Sequence, residues 1–166
     1  DGGVVDEVRL QTGFRSIRVD GDRLLLNGQP LFLRGMCKHE DFPIHGRGLD
    51  LPLMVRDYDL LRWTGANSFR TSHYPYSEQM MDLADRLGFL VIDEIPAVGL
   101  FFHENGLDRR LALCRQYVEE LIARDRNHPC VVAWSLANEP HSNRPSAKGF
   151  FRNLYDHAKD LDPSRP

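Results

Sequence analysis

The apolar positions of this chain change their spacing near residue 33. Before that point they suit strands: FRSIRV (14–19) alternates apolar with polar side chains, as a strand with one buried face does. Gly21-Asp22 is a turn, and LLLNGQPLFL (24–33) reads as a hairpin about Asn27-Gly28, a dipeptide suited to positive φ at both turn positions. Beyond it, short apolar runs alternate with stretches of helical period. Strands are expected at 33–36 (LRGM), 67–72 (NSFRTS), 89–93 (FLVID) and 131–137 (VVAWSLA). Helices are expected over about 51–64, 77–87, 109–124 and 147–160, where residues such as Met54, Tyr58 and Leu61 recur on one face. Asp50 caps the first helix, Pro52 fits its first turn, and Gly65 and Gly88 end the first two.

Four β-α units in succession predict an α/β fold with a parallel sheet and right-handed crossovers. Such units form either a small open sheet or the first half of an eight-fold barrel. The polar residues favour the barrel. Lys38-His39-Glu40-Asp41, Ser72-His73-Tyr74, Asp93-Glu94 and Asn138-Glu139 each follow or finish one of the four strands. All four clusters therefore fall at the carboxyl end of the sheet, the face on which β/α barrels build their sites.

Composition narrows the function. With 42% hydrophobic and 27% charged residues, the 166-residue chain is globular. A formal net charge of −3 argues against nucleic acid as a partner. No run approaches the roughly 20 apolar residues that span a membrane. The start, DGGVVDEVRL, has neither the basic beginning nor the apolar run of a signal peptide. Cys37, Cys114 and Cys130 form no CxxC and read as buried, reduced thiols, which predicts a cytoplasmic protein. A chain without an initiating Met that stops at DPSRP reads as a piece of a longer one.

The strand ends carry the candidate chemistry. A carboxylate such as Glu139, placed after an apolar strand, is partly desolvated and suited to donating a proton; the same residue also suits capping or pairing with an arginine. Asn138 can donate to and accept from a hydroxyl-rich ligand, and Trp134, Tyr74 and Tyr76 offer rings to a sugar. His39 and His73, at equivalent positions on neighbouring strands, are expected to share a pocket. Asp93 and Glu94 must face opposite ways, with Arg70 pairing one of them behind the site. His39, Glu40, Asp41 and His45 lack any zinc-like spacing, so no metal is expected. Glu119-Glu120 and Arg124-Asp125-Arg126 read as solvated helix surface.

GMCKHEDFPIHGRGLD, GANSFRTSHYPYSEQMMDLADRLGFLVIDEIP and RDRNHPCVVAWSLANEP, in this order, resemble glycoside hydrolase family 2, and its glucuronidase branch most closely. The resemblance implies a retaining exo-glycosidase acting on a small-molecule β-glycoside, without a cofactor, on a TIM (β/α)8 barrel preceded by β-sandwich domains. Residues 1–33 would then be the end of the sandwich and the join, and 34–166 the first four β-α units. It further implies that Glu139 is the general acid/base, that Asn138 binds the sugar 2-hydroxyl, that His39 and His73 line the sugar pocket, and that the full-length protein is a homo-oligomer. The family's nucleophile, a glutamate in a TEYG-like context, and its Asn-x-Lys element do not occur in this sequence, so the isolated chain is expected to be inactive. The 97–106 loop, AVGLFFHENG, is expected to border the aglycone site. A β-galactosidase and a non-catalytic carbohydrate-binding protein are the alternatives. An open-sheet nucleotide-binding domain is excluded, because no glycine-rich loop follows any strand.

Overall fold

In the computed structural model, which describes residues 2–102 and 106–166, the chain builds two separate sheets. The first is an antiparallel meander of β1 (Ile17–Asp20), β2 (Arg23–Leu26) and β3 (Gln29–Leu31). Its β2–β3 turn is the expected Asn27-Gly28 pair, with φ of 51° and 77°. The second sheet is parallel, in the order β4 (Gly35–Lys38), β5 (Ser68–Thr71), β6 (Leu90–Glu94), β7 (Val131–Ser135). Between and after these strands run α1 (Leu51–Trp63), α2 (Glu78–Leu87), α3 (Leu107–Asp125) and α4 (Pro145–Leu161). Four strands in chain order with right-handed crossovers put the helices on one face. No closed barrel forms among the described residues; β4 and β7 are the edges of an open sheet.

Local chemistry sets most of these boundaries. The Asp50 side chain accepts from the Leu53 amide and Ser77 from the Met80 amide, while Gly88 closes α2 in the left-handed region at φ 76°. Pro145 opens α4, where its missing N–H costs nothing. At Gly35 a Cβ would lie 2.6 Å from Ser68 Oγ and 3.0 Å from the Ser68 carbonyl oxygen, so only glycine lets β4 approach β5. Two expected strands are corrected. The first parallel strand lies at 35–38 instead of 33–36, because Asn67 clamps Arg34 outside the ladder: its side-chain Oδ1 accepts the Arg34 backbone N–H and its own backbone N–H donates to the Arg34 carbonyl. The last ends at Ser135 instead of residue 137, because Asn138 leaves it to bridge Val98 beyond β6.

The core has two parts. Phe69, Val91 and Val131 pack under α1 and α2 with Met54, Tyr58, Met80 and Met81, and Tyr76 joins them. Ile95, Cys114, Val118, Leu121 and Leu154 form the second part between α3 and α4. Burying one such side chain contributes about 1.5–3 kcal/mol. Three further expectations are corrected here. Cys37 is exposed, because β4 is an edge strand; Cys114 and Cys130 are buried as expected. Asp125 is not solvated surface: it has no accessible area, since the last turn of α3 tucks it against β6. Trp134 and Tyr76 are not site rings. The Trp134 indole donates to Asp162 at 2.9 Å with Arg165 over its face, and the Tyr76 ring is core, its hydroxyl donating to the Lys38 carbonyl.

Candidate active site at the strand ends

Alternation along β6 sends Asp93 and Glu94 to opposite faces, as expected. Glu94 faces away from the helices and is wholly buried, yet every lone pair has a donor. Arg70 forks onto it, Nε to Oε2 at 2.7 Å and Nη2 to Oε1 at 3.3 Å. His73 Nδ1 lies 2.7 Å from Oε1, and the Ser135 hydroxyl donates to Oε2. Burial alone pushes this carboxyl up; the hydrogen bonds from Arg70, Ser135 and His73 outweigh it and hold Glu94 below the ordinary glutamate value. It is an anchoring anion. Arg70 is held charged by the same carboxylate.

Arg70 joins this anchor to the last strand. Its Nη2 donates to Asn138 Oδ1 at 2.6 Å, which spends the amide oxygen and leaves Asn138 Nδ2 with its two donors. The Asn138 backbone is pinned between Ala97 O (2.8 Å) and Gly99 N (3.0 Å). His73 is fixed in the same way, its Nδ1 lying 2.7 Å from Glu94 Oε1 and 3.1 Å from Arg70 Nη2; in the neutral tautomer that gives Nδ1–H to the carboxylate, Nε2 is the acceptor. His39 meets it edge to face at 5.4 Å, and Tyr74 lies 3.4 Å from His39 Nδ1 under the guanidinium of Arg47. Thus Arg70, His73, Glu94 and Asn138 form one hydrogen-bonded cluster, with His39 at its rim.

The remaining residues fall outside it. Glu139 follows Asn138 at a left-handed φ of 43°, and it is exposed where the sequence suggested desolvation, because the strand has ended four residues earlier. Asp93 turns to the helix side, so Arg70 pairs Glu94 alone. Of the Lys38–Asp41 cluster, Lys38 ties to Asp57 at 3.0 Å and Glu40 caps the amide and hydroxyl of Ser77; neither points to the cluster. His45 binds Asp50 at 3.1 Å. Of the loop expected at the aglycone side, residues 103–105 lie outside the described residues; Phe102 is buried and the Phe101 ring meets His141 at 4.3 Å.

The sequence reading missed Ser135, Arg47 and Asp125. Ser135 stands opposite Glu94 only once the β6–β7 register is known, and that register shifts between Val91 and Ile92. Among the described residues, one trio has potential metal-ligand atoms within 4.8 Å: Asp85, His128 and Cys130. It lies at the amino end of β7, opposite the site, and its geometry is that of a hydrogen-bonded tie. Asp85 takes His128 Nδ1 at 2.6 Å and the Cys130 amide at 2.8 Å, while burial keeps the Cys130 thiol protonated.

Comparison with known proteins identifies the family. The family described as "Glycosyl hydrolases family 2, TIM barrel domain" matches residues 17–166. The chain is 50% identical over 165 residues to a beta-glucuronidase of Felis catus, covering 99% of this chain and 25% of that protein. It is 48% identical to a beta-glucuronidase of Paenibacillus borealis, covering 99% of this chain and 29% of the relative. Its structure superimposes on a Ruminococcus gnavus beta-glucuronidase with a TM-score of 0.91 and 47% identity, over 100% of this chain and 28% of that one; that enzyme was solved in complex with D-glucuronic acid. The chain thus spans between a quarter and three tenths of these relatives. The match over most of its length, the parallel sheet and the strand-end cluster together make this chain a member of glycoside hydrolase family 2, within the TIM-barrel domain.

Proposed function

We propose that the protein carrying this chain hydrolyses terminal β-D-glucuronosides with retention of configuration, Glu139 acting as general acid/base. The observation that carries this reading is the Glu94–Arg70–Asn138 chain of bonds, which holds an amide with free donors immediately before an exposed carboxyl group. Glu139 gives its proton to the glycosidic oxygen as the bond breaks, then takes one from the water that releases the sugar. Asn138 Nδ2 donates to the 2-hydroxyl, and His73 Nε2 accepts from another hydroxyl with His39 beside it. The beta-glucuronidase names of relatives at 46–50% identity support glucuronate as the sugar.

Retention needs a second carboxylate about 5–5.5 Å from the first. Glu94 does not qualify, because its oxygens are committed to Arg70, His73 and Ser135. The nucleophile in this reading comes from outside the 166 residues, and the isolated chain turns over no glycoside. The same reading puts the end of a β-sandwich and the join at 1–33, the barrel from 34, and the aglycone along 97–106. It also makes the protein a cytoplasmic homo-oligomer, in keeping with its unpaired thiols; no helix among the described residues is long and apolar enough to cross a membrane. The test is to express the reading frame that contains this chain and assay chromogenic β-glucuronide and β-galactoside side by side, with Glu139→Gln as control. Glucuronide cleavage lost in the variant is expected. Galactoside cleavage alone would overturn the sugar, and no cleavage of either by a folded protein would overturn the reaction.

A further inference from the structure

Behind the strand-end cluster lies a group that the proposed reaction does not touch. Asp93 on β6 and Asp125 at the end of α3 are both fully buried, and the Asp125 side chain raises the Asp93 carboxyl through its charge and through hydrogen bonding. Arg124 forks onto Asp125, Nε to Oδ1 at 2.7 Å and Nη2 to Oδ2 at 2.5 Å. Asp93 Oδ1 accepts from the Thr71 hydroxyl at 2.9 Å, and the same Thr71 oxygen accepts the Glu94 backbone N–H at 2.8 Å. Among the described residues no donor reaches Asp93 Oδ2.

The Arg124 guanidinium is committed to Asp125, and His128, which also feels the Asp125 charge, is bonded to Asp85. An ionised Asp93 would sit in the interior with the Thr71 hydroxyl as its one hydrogen-bond donor among the described residues and the Arg124 charge already spent on Asp125, which costs more than binding a proton. Oδ2 is the oxygen without a donor, so it is the one that takes the proton, becoming a donor toward Asp125. The surroundings agree. Burial first, and then the negative Asp125, push the Asp93 carboxyl well above the ordinary range, against the smaller opposing pulls of Thr71 and Arg124. The Cys130 thiol is itself pushed up by burial and adds no charge, and Glu78 acts from the Arg124 side.

We propose that Asp93 and Asp125 share a single proton and that Asp93 is a positioning residue for the site: its neutral carboxyl orients the Thr71 hydroxyl, which fixes the Glu94 backbone, and Glu94 holds His73, Arg70 and, through Arg70, Asn138. The effect on catalysis rests on the glycosidase reading given above; the shared proton does not.

The experiment uses the reading frame containing this chain, with aspartate labelled by 13C, and three readouts. Isotope-edited infrared spectra at pH 7 are expected to contain a protonated-carboxyl band that Asp93→Asn removes; absence of that band from the wild type overturns the shared proton. In kinetics, Asp93→Asn keeps a neutral donor and is expected to recover most of a loss of about 100-fold in kcat caused by Asp93→Ala, with KM little changed. Thr71→Val, which keeps the side-chain shape, is expected to lower kcat about 10-fold in protein verified as folded by circular dichroism, and Thr71→Ser to restore it. Equal kcat in Thr71→Val and Thr71→Ser, or in Asp93→Ala and Asp93→Asn, overturns the positioning role. Hydrogen exchange over residues 136–141 reads the same effect without turnover: Thr71→Val is expected to speed it and Thr71→Ser to leave it slow, and no difference overturns the role. A wild type that exchanges as expected but cleaves no glycoside instead counts against the proposed reaction alone.

Discussion

Arg70→Met tests whether the strand-end cluster is held together by one buried ion pair. Glu94 has no accessible surface and four donors; the substitution removes two of them together with the guanidinium charge. Removing one partner of a buried pair costs about 3–5 kcal/mol. The Arg70 side chain is 27% exposed, so water screens part of its charge, and about 2–3 kcal/mol is the expected loss at neutral pH. Asn138 loses its anchor in the same step. Hydrogen exchange over residues 131–141, read by mass spectrometry, is therefore expected to quicken by about 30- to 150-fold, since each 1.4 kcal/mol is a factor of ten. Loss of the guanidinium also has a pH signature. In the wild type, Glu94 titrates below its ordinary value, so its contribution is complete above the ordinary glutamate range and lost as pH falls through the folded value. Without Arg70, burial dominates and moves the folded Glu94 value above the ordinary one. The penalty of the substitution is then largest at neutral pH and shrinks on acidification. Adding Glu94→Leu removes the stranded charge and is expected to recover at least about 1.5 kcal/mol. A loss under about 1 kcal/mol, or strict additivity of the two substitutions, would refute the reasoning.

Three further outcomes are expected. Asp85→Asn weakens the tie to His128: Asp85 is held below its ordinary value mainly by hydrogen bonds from His128 and Cys130 that outweigh burial, and His128 is raised mainly by its bond to Asp85. Wild-type stability from this pair is then lost as pH falls through the folded Asp85 value and again as pH rises through the folded His128 value, so denaturant midpoints of wild type and variant are expected to differ most between those limits and converge outside them. Gly35→Ala drives a methyl against Ser68, and a loss of about 1–3 kcal/mol is expected in thermal unfolding; an unchanged midpoint would mean the strands part freely. Asp162 is held at about 2: burial raises it, but Ser164, Trp134 and Arg165 outweigh burial, so Trp134 fluorescence is expected to stay flat on acidification until the carboxyl titrates near that value. A transition near the ordinary aspartate range would contradict the Trp134–Asp162–Arg165 contact.

The order of elements and the end of the sheet that carries the chemistry were legible in the sequence. Asn27-Gly28, Asp50, Ser77 and Gly88 act on their own few residues, and apolar period follows from which face each segment buries, so these features need no long-range contact to be read. NSFRTSHYPY and SLANEP likewise announce polar groups after apolar strands. What Arg70 would choose between Asp93 and Glu94 was not legible, nor was the burial of Asp125 inside a run of charges. Both depend on which residue of β6 faces the helices. The reading of Trp134 and Tyr76 as sugar platforms failed for the same reason, because an aromatic ring at a strand end packs as readily into the core as toward a ligand.

By itself, then, the sequence determined the four β-α units, the hairpin before them, and the placement of His39, His73, Glu94, Asn138 and Glu139 at one end, because periodicity, caps and turns are local properties of the chain. Only the tertiary structure decided that Glu94 rather than Asp93 anchors Arg70, that Ser135 completes that anchor, and that Asp125 is buried against Asp93. Strand register and helix docking bring together residues from 24 to 68 positions apart, and over such separations the energy of a contact is set by burial and geometry that no local pattern encodes.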